Sequence, residues 1–268
     1  MRTALTIAGS DSGGGAGIQA DIKTFAAHGV YGTSAITALT AQNTVAVTGV
    51  HLAPAAFVVA QIEAVANDIG CDAVKTGMLA TAEIVTAVAA AVTRLGLPNL
   101  VVDPVMVAKS GNHLLAESAV EAMRRDLVSV ADVVTPNIPE AEVLTGRSIR
   151  SLDDAVAAAH AIRAMGARAV IVKGGHLDRP DIVDLLVYGD RVVELVGPRV
   201  PGVHTHGTGC TFAAAIAARL ALGDDLEAAA RAAQAYVAGA MRAGVPLGRG
   251  HRPLDHHWRF RAAILKQS

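Results

Sequence analysis

The sequence predicts an α/β fold in which helices flank a central, mostly parallel sheet. Hydrophobic residues make up 52% of the 268 residues and aromatic residues only 3%, so the core must be built from Ala, Val, Leu and Ile. That composition is typical of buried parallel strands covered by alanine-rich helices. Short apolar stretches also alternate with longer helical stretches, which is the pattern of βα units. Since no repeat or low-complexity linker interrupts this alternation, residues 1–268 are expected to form one domain.

The first predicted unit is a strand, a glycine-rich loop and a helix. An apolar run at residues 4–8 leads into the loop at residues 9–17, and an amphipathic pattern then continues to Gly29. A dinucleotide-binding fingerprint would place an acidic residue about 20 residues further on, at the end of a second strand. Residues 37–43 contain no acidic residue, so a dinucleotide site is disfavoured.

The alternation continues through the rest of the chain. Further strands are predicted at residues 73–76, 100–102, 133–135 and 169–172, and helices at residues 54–66, 80–95, 155–165 and 228–243. Residues 184–195 are predicted to form an antiparallel hairpin around a Gly-Asp turn. Ligands of parallel sheets bind beyond the carboxyl ends of the strands. The polar residues at or near those predicted ends are Asp11, Gln42, Lys75, Asp103, Asn137 and Lys173.

A second glycine-rich segment precedes an uninterrupted alanine-rich helix. Gly207, Thr208 and Gly209 form the predicted turn at its start. The free N–H groups at the beginning of a helix and the helix dipole bind anions, and glycine lets a ligand approach closely. Cys210 stands at the mouth of this site, where a thiolate would be stabilised. A glycine-rich helix start with a small buried cysteine is the alternative, and spacing alone does not decide between them.

Charge, cysteine content and hydropathy exclude several classes of function. The formal net charge of −1 offers no basic surface for nucleic acid or for an anionic membrane. The two cysteines, Cys71 and Cys210, cannot build a disulfide framework, and Cys71 is expected to pack rather than react. No apolar stretch reaches the roughly 18 to 20 residues of a membrane span without a charge or a glycine. We therefore expect a cytoplasmic protein without nucleic-acid or membrane partners.

Near the C-terminal end, His251, His256 and His257 surround Trp258. Neighbouring histidines on a helix point to different faces. A surface or packing role is therefore favoured over a metal site.

Several segments together form a recognisable set of sequence signatures: residues 8–21, 75–79, 103–106, 108–111, 135–141, 173–176 and 206–211, with Gly248, Gly250, Pro253 and residues 256–258. These segments resemble the signatures of the hydroxymethylpyrimidine and phosphomethylpyrimidine kinases of thiamine biosynthesis, a ribokinase-like family. They occur in the family's order over almost the whole chain, with Gly13 as a departure where a serine is expected. The resemblance implies a three-layer ribokinase-like fold and two successive phosphorylations of a pyrimidine by ATP with Mg²⁺. It also implies that the protein forms a homodimer and that its binding partner is a small-molecule substrate.

The resemblance assigns the transfer chemistry to the second glycine-rich segment. Cys210 stands where ribokinase-like enzymes commonly have an aspartate, and is the implied base. Gly207, Thr208, Gly209 and Cys210 itself would offer backbone N–H groups to the transferring phosphoryl group. An anion site without a true base remains open, because loose phosphoryl transfer requires little base catalysis.

The resemblance also implies a phosphate and magnesium site. Asn137 and Glu140 match the family's Asn-x-x-Glu element, and Asp103 is similar to an acidic residue of the same cluster. These residues would hold Mg²⁺ mostly through water, because magnesium keeps several of its waters. Lys173 resembles the lysine that approaches the nucleotide phosphates, where Asp103, Asn137 and Thr208 are also expected. The alternatives are a helix-start charge for Glu140 and a solvated cation for Lys173.

For the pyrimidine, the resemblance points to Gln42, with Met78 and Val105 as apolar walls and Gly9 and Asp11 nearby. The Gln42 amide is both donor and acceptor, so it can pair with the ring's exocyclic amine and the adjacent ring nitrogen. Alternatively, Gln42 only satisfies backbone groups.

Two charges on the first helix, Asp21 and Lys23, are expected at the surface. Pyridoxal kinase is the nearest rival function, since relatives with the same Gly-Thr-Gly-Cys loop accept pyridoxal-type rings. A non-catalytic sensor of a phosphate ligand is the rival from another class.

Overall fold

The computed structural model describes residues 1–106, 117–176, 180–202 and 204–264. Within these ranges the main sheet has nine strands: β1 (Thr3–Asp11), β2 (Tyr31–Gln42), β3 (Val47–Leu52), β4 (Ala73–Thr76), β5 (Leu100–Val102), β6 (Val133–Val134), β7 (Ala169–Val172), β8 (Asp181–Tyr188) and β9 (Arg191–Pro198). Their order across the sheet is β3-β2-β1-β4-β5-β6-β7-β8-β9. Two short strands, β10 (His204–His206) and β11 (Arg252–Pro253), pair separately in parallel.

The centre of the main sheet is parallel and its two edges are antiparallel. Strands β2, β1, β4, β5, β6 and β7 run in parallel, so their carboxyl ends meet along one edge. Strand β3 pairs antiparallel with β2, and β8 and β9 form the predicted hairpin beside β7. The strands predicted at residues 73–76, 100–102, 133–135 and 169–172 are confirmed. Strands β2 and β3 were not predicted, because β2 is rich in small residues and threonine and has no apolar run.

The described helices are α1 (Gly17–Ala27), α2 (Ala55–Asp68), α3 (Ala82–Leu95), α4 (Glu117–Ala122), α5 (Ile138–Thr145), α6 (Leu152–Arg163), α7 (Thr208–Ala221), α8 (Leu226–Arg242) and α9 (Trp258–Ile264). Side chains cap several of their N-termini, where Thr81, Asn137, Ser151 and Asp225 each accept a backbone N–H of the first turn. None of the helices in the described ranges is long and apolar enough to span a bilayer.

Helices cover both faces of the main sheet, each over its own apolar core. Residues of α2 to α6, such as Ile62, Val88 and Ile162, form the core on one face. Phe25 of α1, Tyr236 of α8 and the alanines of α7 form the core on the other. The small alanine side chains let α7 lie close to β1, β4 and β5, which brings its first turn to the carboxyl edge of the sheet. This three-layer arrangement confirms the predicted fold class.

Candidate active site

A cavity of about 860 Å³ opens at the carboxyl edge of the main sheet and extends from β2 to β9. The structure brings every predicted site residue to its lining: Gly9, Asp11, Gln42, Met78, Asp103, Val105, Asn137, Glu140, Lys173, Gly207, Thr208, Gly209 and Cys210. This clustering follows from the parallel order, because residues just beyond neighbouring strands meet at one edge. Residues 108–111, which belong to the predicted family signature, lie outside the described residues.

The first turn of α7 forms an anion site at the middle of the cavity. The predicted entrance turn is already helical, since α7 starts at Thr208 and only Gly207 precedes it as the N-cap. Gly207 has a φ of 86°, and a Cβ atom there would overlap the carbonyl oxygen of Gly15, so glycine is needed. The first backbone bond of the helix runs from the Thr211 N–H to the Gly207 carbonyl, at 2.9 Å. The N–H groups of residues 208–210 precede that bond and are the donors of an anion site.

The thiol of Cys210 lies at this turn and is partly exposed to the cavity. Burial raises the pKa of this thiol to about 11, although the charge of Lys75 opposes the rise. The carboxylates of Asp103 and Asp21 raise the pKa further. The expectation that the helix start lowers this pKa was therefore wrong, because desolvation of the thiolate is the larger effect. At neutral pH Cys210 is a protonated thiol.

Lys173 balances two buried carboxylates beside the anion site. Its Nζ lies 3.0 Å from Asp103 Oδ1 and 3.9 Å from Glu140 Oε2. Burial raises the pKa of Glu140 to about 7, and the charge of Asp103 adds to the rise against the opposing effect of Lys173. One lysine therefore faces two carboxylates, and a further cation would stabilise their charged forms.

Asn137 and Glu140 form a capping box at the start of α5. The Asn137 Oδ1 accepts the Glu140 N–H at 2.9 Å, and the Glu140 Oε2 accepts the Asn137 N–H at 2.8 Å. The three-residue spacing of the Asn-x-x-Glu element is thus also that of a helix cap. Both residues line the cavity and supply oxygen atoms, which fits a hard cation such as Mg²⁺. Among the described residues no group of three His, Cys, Asp or Glu side chains could hold a metal ion.

The β1–β2–β4 end of the cavity has a small apolar wall. A Cβ atom at Gly9 would lie 2.5 Å from Met78 Cε, so Met78 covers Gly9 directly. The backbone of Met78 is held by Thr37, whose hydroxyl donates to the Met78 carbonyl at 2.7 Å. The Gln42 amide contacts side chains, with its Oε1 3.2 Å from Thr40 Oγ1 and its Nε2 3.4 Å from His206 Nε2. Both contacts are long and neither joins the amide to the backbone, so a ligand can compete for it.

Asp11 holds the first glycine-rich loop against His206. Its carboxylate accepts N–H groups from Gly13, Gly15 and Ala16 at 2.8, 3.1 and 2.8 Å. His206 Nε2 lies 2.9 Å from Asp11 Oδ2. Burial acts to raise the pKa of Asp11, but the hydrogen bonds from His206 and the loop outweigh it and hold the pKa below its ordinary value. A role in loop structure therefore accompanies the predicted substrate contact of Asp11. His206 was not predicted as a site residue, although it directly precedes Gly207.

Asp21 is not a surface charge as predicted, because it is fully buried beneath α7. Its Oδ2 lies 2.9 Å from the buried Lys75 Nζ and accepts the Thr6 hydroxyl at 2.6 Å. Burial lowers the pKa of Lys75, but the charge of Asp21 outweighs it and raises the pKa above its ordinary value. The burial of Asp21 could have been predicted from the sequence, because helical spacing places it on the same face of α1 as Ile18 and Phe25.

Lys23, the other charge expected at the surface, is partly buried. Its Nζ donates to the Gly14 carbonyl at 2.7 Å and so supports the first glycine-rich loop.

Comparison with known proteins identifies the family. Residues 11–255 match the family model described as phosphomethylpyrimidine kinase. The chain belongs to the phosphomethylpyrimidine kinase family. The thiamine biosynthesis bifunctional protein ThiED of Geobacter sulfurreducens is 52% identical over 252 residues, which cover 94% of this chain and 51% of that protein. The chain thus spans about half the length of that relative.

Other relatives match over nearly their whole length. The hydroxymethylpyrimidine/phosphomethylpyrimidine kinase of Bacillus subtilis is 49% identical over 254 residues, which cover 94% of either chain. Among solved structures, an ADP complex of Bacillus subtilis pyridoxal kinase has a TM-score of 0.91 and 39% identity, and the match covers 97% of this chain and 99% of that chain. The predicted family and its ribokinase-like fold are confirmed.

The end of the cavity opposite Gly9 and Met78 was not predicted from the sequence of this phosphomethylpyrimidine kinase family member. Apolar side chains line it: Ile182, Val200, Phe212, Val237 and Met241. The buried Asp184 accepts the Gly174 N–H at 2.8 Å and the Gln234 Nε2 at 2.9 Å, which joins β8 to α8 there. These walls come from distant segments, so no local motif indicated them.

Proposed function

We propose that the chain is an ATP-dependent kinase that phosphorylates 4-amino-5-hydroxymethyl-2-methylpyrimidine and then its monophosphate, giving the diphosphate for thiamine biosynthesis. The observation that carries this proposal is the single cavity, with a small apolar end at Gly9 and Met78 and a second apolar end at Val237 and Met241. The anion site at the start of α7 opens into the same cavity. The relatives named as thiamine biosynthesis and hydroxymethylpyrimidine/phosphomethylpyrimidine kinase proteins support the same substrates. One kinase domain over residues 1–268 is part of the proposal.

Transfer joins the hydroxymethyl oxygen of the pyrimidine to the γ-phosphorus of ATP and breaks the bond to the bridging oxygen of ADP. Charge spreads over the three equatorial oxygens of the moving group. The N–H groups of Thr208, Gly209 and Cys210 are preorganised donors for those oxygens. Lys173 adds a positive charge beside them and supports the phosphates of ATP.

Cys210 is proposed as the acceptor of the hydroxyl proton. Since its thiol pKa is about 11, only a small fraction is thiolate at neutral pH, and that fraction would be the active form. The positive charge of Lys75 acts to lower the pKa of Cys210 and so favours the thiolate. If Cys210 contributes only its backbone N–H, the proton leaves by another route and the anion site supplies the catalysis.

Mg²⁺ would be held by Asp103, Asn137 and Glu140, mostly through water. When bound, it neutralises negative charge on the phosphates of ATP. The protein contributes the two buried carboxylates, and Lys173 keeps Asp103 in place at 3.0 Å.

The pyrimidine would lie against Met78 and Val105, close to Gly9 and Asp11. Gln42 would read the exocyclic amine and the neighbouring ring nitrogen, because one amide carries both a donor and an acceptor. The weak contacts of Gln42 with Thr40 and His206 support this role, since little is lost when the amide turns to a ligand.

Pyridoxal kinase is a second candidate, supported by the close overlay with the Bacillus subtilis enzyme. Release of ADP, measured separately with hydroxymethylpyrimidine, its monophosphate and pyridoxal, tests the proposal. We expect ADP with both pyrimidines and detection of the diphosphate product. ADP with pyridoxal alone would favour the second candidate, and no ADP with any compound would favour a non-catalytic phosphate sensor.

A homodimer in the cytoplasm completes the proposal. The edge strand β3 exposes Val50 and Leu52, and Phe57 is exposed on α2, which packs on the neighbouring strand β2. Exposed edge strands with apolar side chains tend to be covered by a partner. Two free cysteines, Cys71 and Cys210, fit a reducing compartment. Light scattering of the wild type and of Val50→Lys tests the dimer, which the added charge should dissociate.

A further inference from the structure

The chain beyond α8 returns across the cavity and contacts the loop after β2. The His251 N–H donates to the Thr44 carbonyl at 2.8 Å, and the Gly250 N–H lies 3.3 Å from the Thr44 hydroxyl. A Cβ atom at Gly248 or Gly250 would overlap Thr44, so both glycines are needed for the close approach. Thr44 is two residues after Gln42 and lines the same cavity.

The same segment then pairs with the strand that leads to the anion site. Strand β11 runs parallel to β10, with Pro253 opposite His206. His206 is the residue that holds Asp11 and the first glycine-rich loop, at 2.9 Å. The segment therefore reaches both glycine-rich loops.

Its last contact is with the first turn of α7. The Thr211 Oγ1 lies 3.0 Å from the His256 Nε2, and the two residues are 0% and 3% exposed. Burial lowers the pKa of His256 to about 3, so the ring is neutral, and its Nε2 shares a hydrogen bond with the Thr211 hydroxyl. The Tyr236 hydroxyl holds the backbone of His256 through its carbonyl at 2.6 Å, and the Asp255 N–H donates to the Ala240 carbonyl at 3.1 Å.

We propose that residues 248–256 form a C-terminal strap, and that His256 is a positioning residue for phosphoryl transfer. Through Thr211, His256 fixes the rotation of the first turn of α7, whose N–H groups at residues 208–210 face the transferring group. The inference rests on the proposed function, since a kinase reaction is what the turn would serve. A displacement of about 1 Å at such a site can cost about a hundredfold in rate.

Steady-state kinetics of four variants and one control variant test the strap. We expect His256→Ala and Thr211→Val each to lower kcat about 10- to 100-fold, with the KM for ATP and for the pyrimidine within about threefold of wild type. The double variant should lose no more than either single one, because both remove the same bond. His256→Gln retains an acceptor and should recover most of kcat, and the exposed neighbour His257→Ala is the matched control.

Hydrogen exchange gives a second measurement that needs no activity. In His256→Ala, the hydrogen-bonded amides at the start of α7, from Thr211 onward, should exchange faster than in wild type, while those of α3 stay unchanged. A His256→Ala variant that keeps wild-type kcat, or wild-type exchange at the start of α7, would overturn the strap and leave the kinase function standing. A wild-type protein that releases no ADP would instead overturn the proposed function, and the exchange measurement would still decide the positioning role.

Discussion

The Lys173 Nζ lies 3.0 Å from the Asp103 Oδ1, although 70 residues separate them in the chain. The contact joins the ends of β5 and β7 across β6, and Glu140 is 3.9 Å from the same ammonium. The two carboxylates carry one more negative charge than the lysine neutralises. A divalent cation would therefore stabilise this part of the cavity the most.

Asn137→Ala and Glu140→Gln should both weaken the use of magnesium. We expect the Mg²⁺ concentration at half-maximal rate to rise by about tenfold in each, because both residues are proposed to order the same hydrated ion. Asn137→Ala also removes the N-cap of α5, at a cost of about 1 kcal/mol, whereas Glu140→Gln keeps an acceptor for the Asn137 N–H. Ser151→Ala is the matched control, since it breaks the capping box of α6 away from the cavity. Unshifted magnesium titrations in both cavity variants would refute the assignment.

Cys210→Ala should lower kcat by roughly two to four orders of magnitude with little change in apparent substrate affinity. If the thiolate is the base, its pKa of about 11 means that its fraction grows through the alkaline range. The wild-type kcat should then rise about tenfold per pH unit from about pH 7 to pH 9. Cys210→Asp, whose carboxylate is already ionised, should keep some activity and lose this slope. An alanine variant within about threefold of wild type would limit Cys210 to its backbone N–H.

Gln42→Leu should reduce kcat/KM for hydroxymethylpyrimidine by about 1 to 3 kcal/mol of lost pairing. ATP binding, measured separately, should stay as in wild type. A pyrimidine without the exocyclic amine serves as the control, because its kcat/KM should differ little between wild type and Gln42→Leu. If kcat/KM for each of the two pyrimidines is the same in wild type and in Gln42→Leu, the ring is recognised by other residues.

Asp21→Leu should destabilise the fold by about 3 to 5 kcal/mol, because it leaves the buried ammonium of Lys75 without its counter-charge. The double change Asp21→Leu with Lys75→Met removes both charges and should recover much of this loss. Urea unfolding of the wild type and the three variants measures the effect. Glu63→Leu, which breaks the exposed pair with Arg94, is the control and should cost about 1 kcal/mol or less.

His256 should make stability depend on pH. Its pKa falls from the ordinary 6.5 to about 3 in the folded protein, chiefly through burial. Below pH 6.5 the unfolded chain binds a proton that the folded chain does not, so the free energy of unfolding falls toward pH 3 by up to about 1.4 kcal/mol per unit. Above pH 6.5 this contribution is constant.

The comparison that isolates His256 is denaturant unfolding at about pH 5 and pH 7 in His256→Gln and in the exposed His257→Gln. The His256 variant should lose most of the difference between the two pH values, whereas the His257 variant should keep it. An equal difference in His256→Gln and wild type would show that other groups produce it.

Features that depend only on residues close together in the chain could be predicted from the sequence. The apolar runs at β4, β5 and β7 are short and β-branched, so they indicated buried strands, and the polar residues after them indicated the edge with the site. The glycines before α7 indicated an anion site because a helix start and its free N–H groups are local properties. The family resemblance then associated these separate motifs with one reaction.

The sequence by itself thus determined the α/β alternation, the carboxyl-edge site and the helix that forms the anion site. Only the tertiary structure decided which distant groups meet. Asp11 pairs with His206 across 195 residues, and Asp21 pairs with Lys75 across 54 residues. The Cys210 pKa also depends on such partners, since burial raises it, Lys75 opposes the rise, and Asp103 and Asp21 add to it. The physical reason is that periodicity reports preferences within a few turns, whereas desolvation and long-range hydrogen bonds depend on how the sheet and its two helical layers assemble.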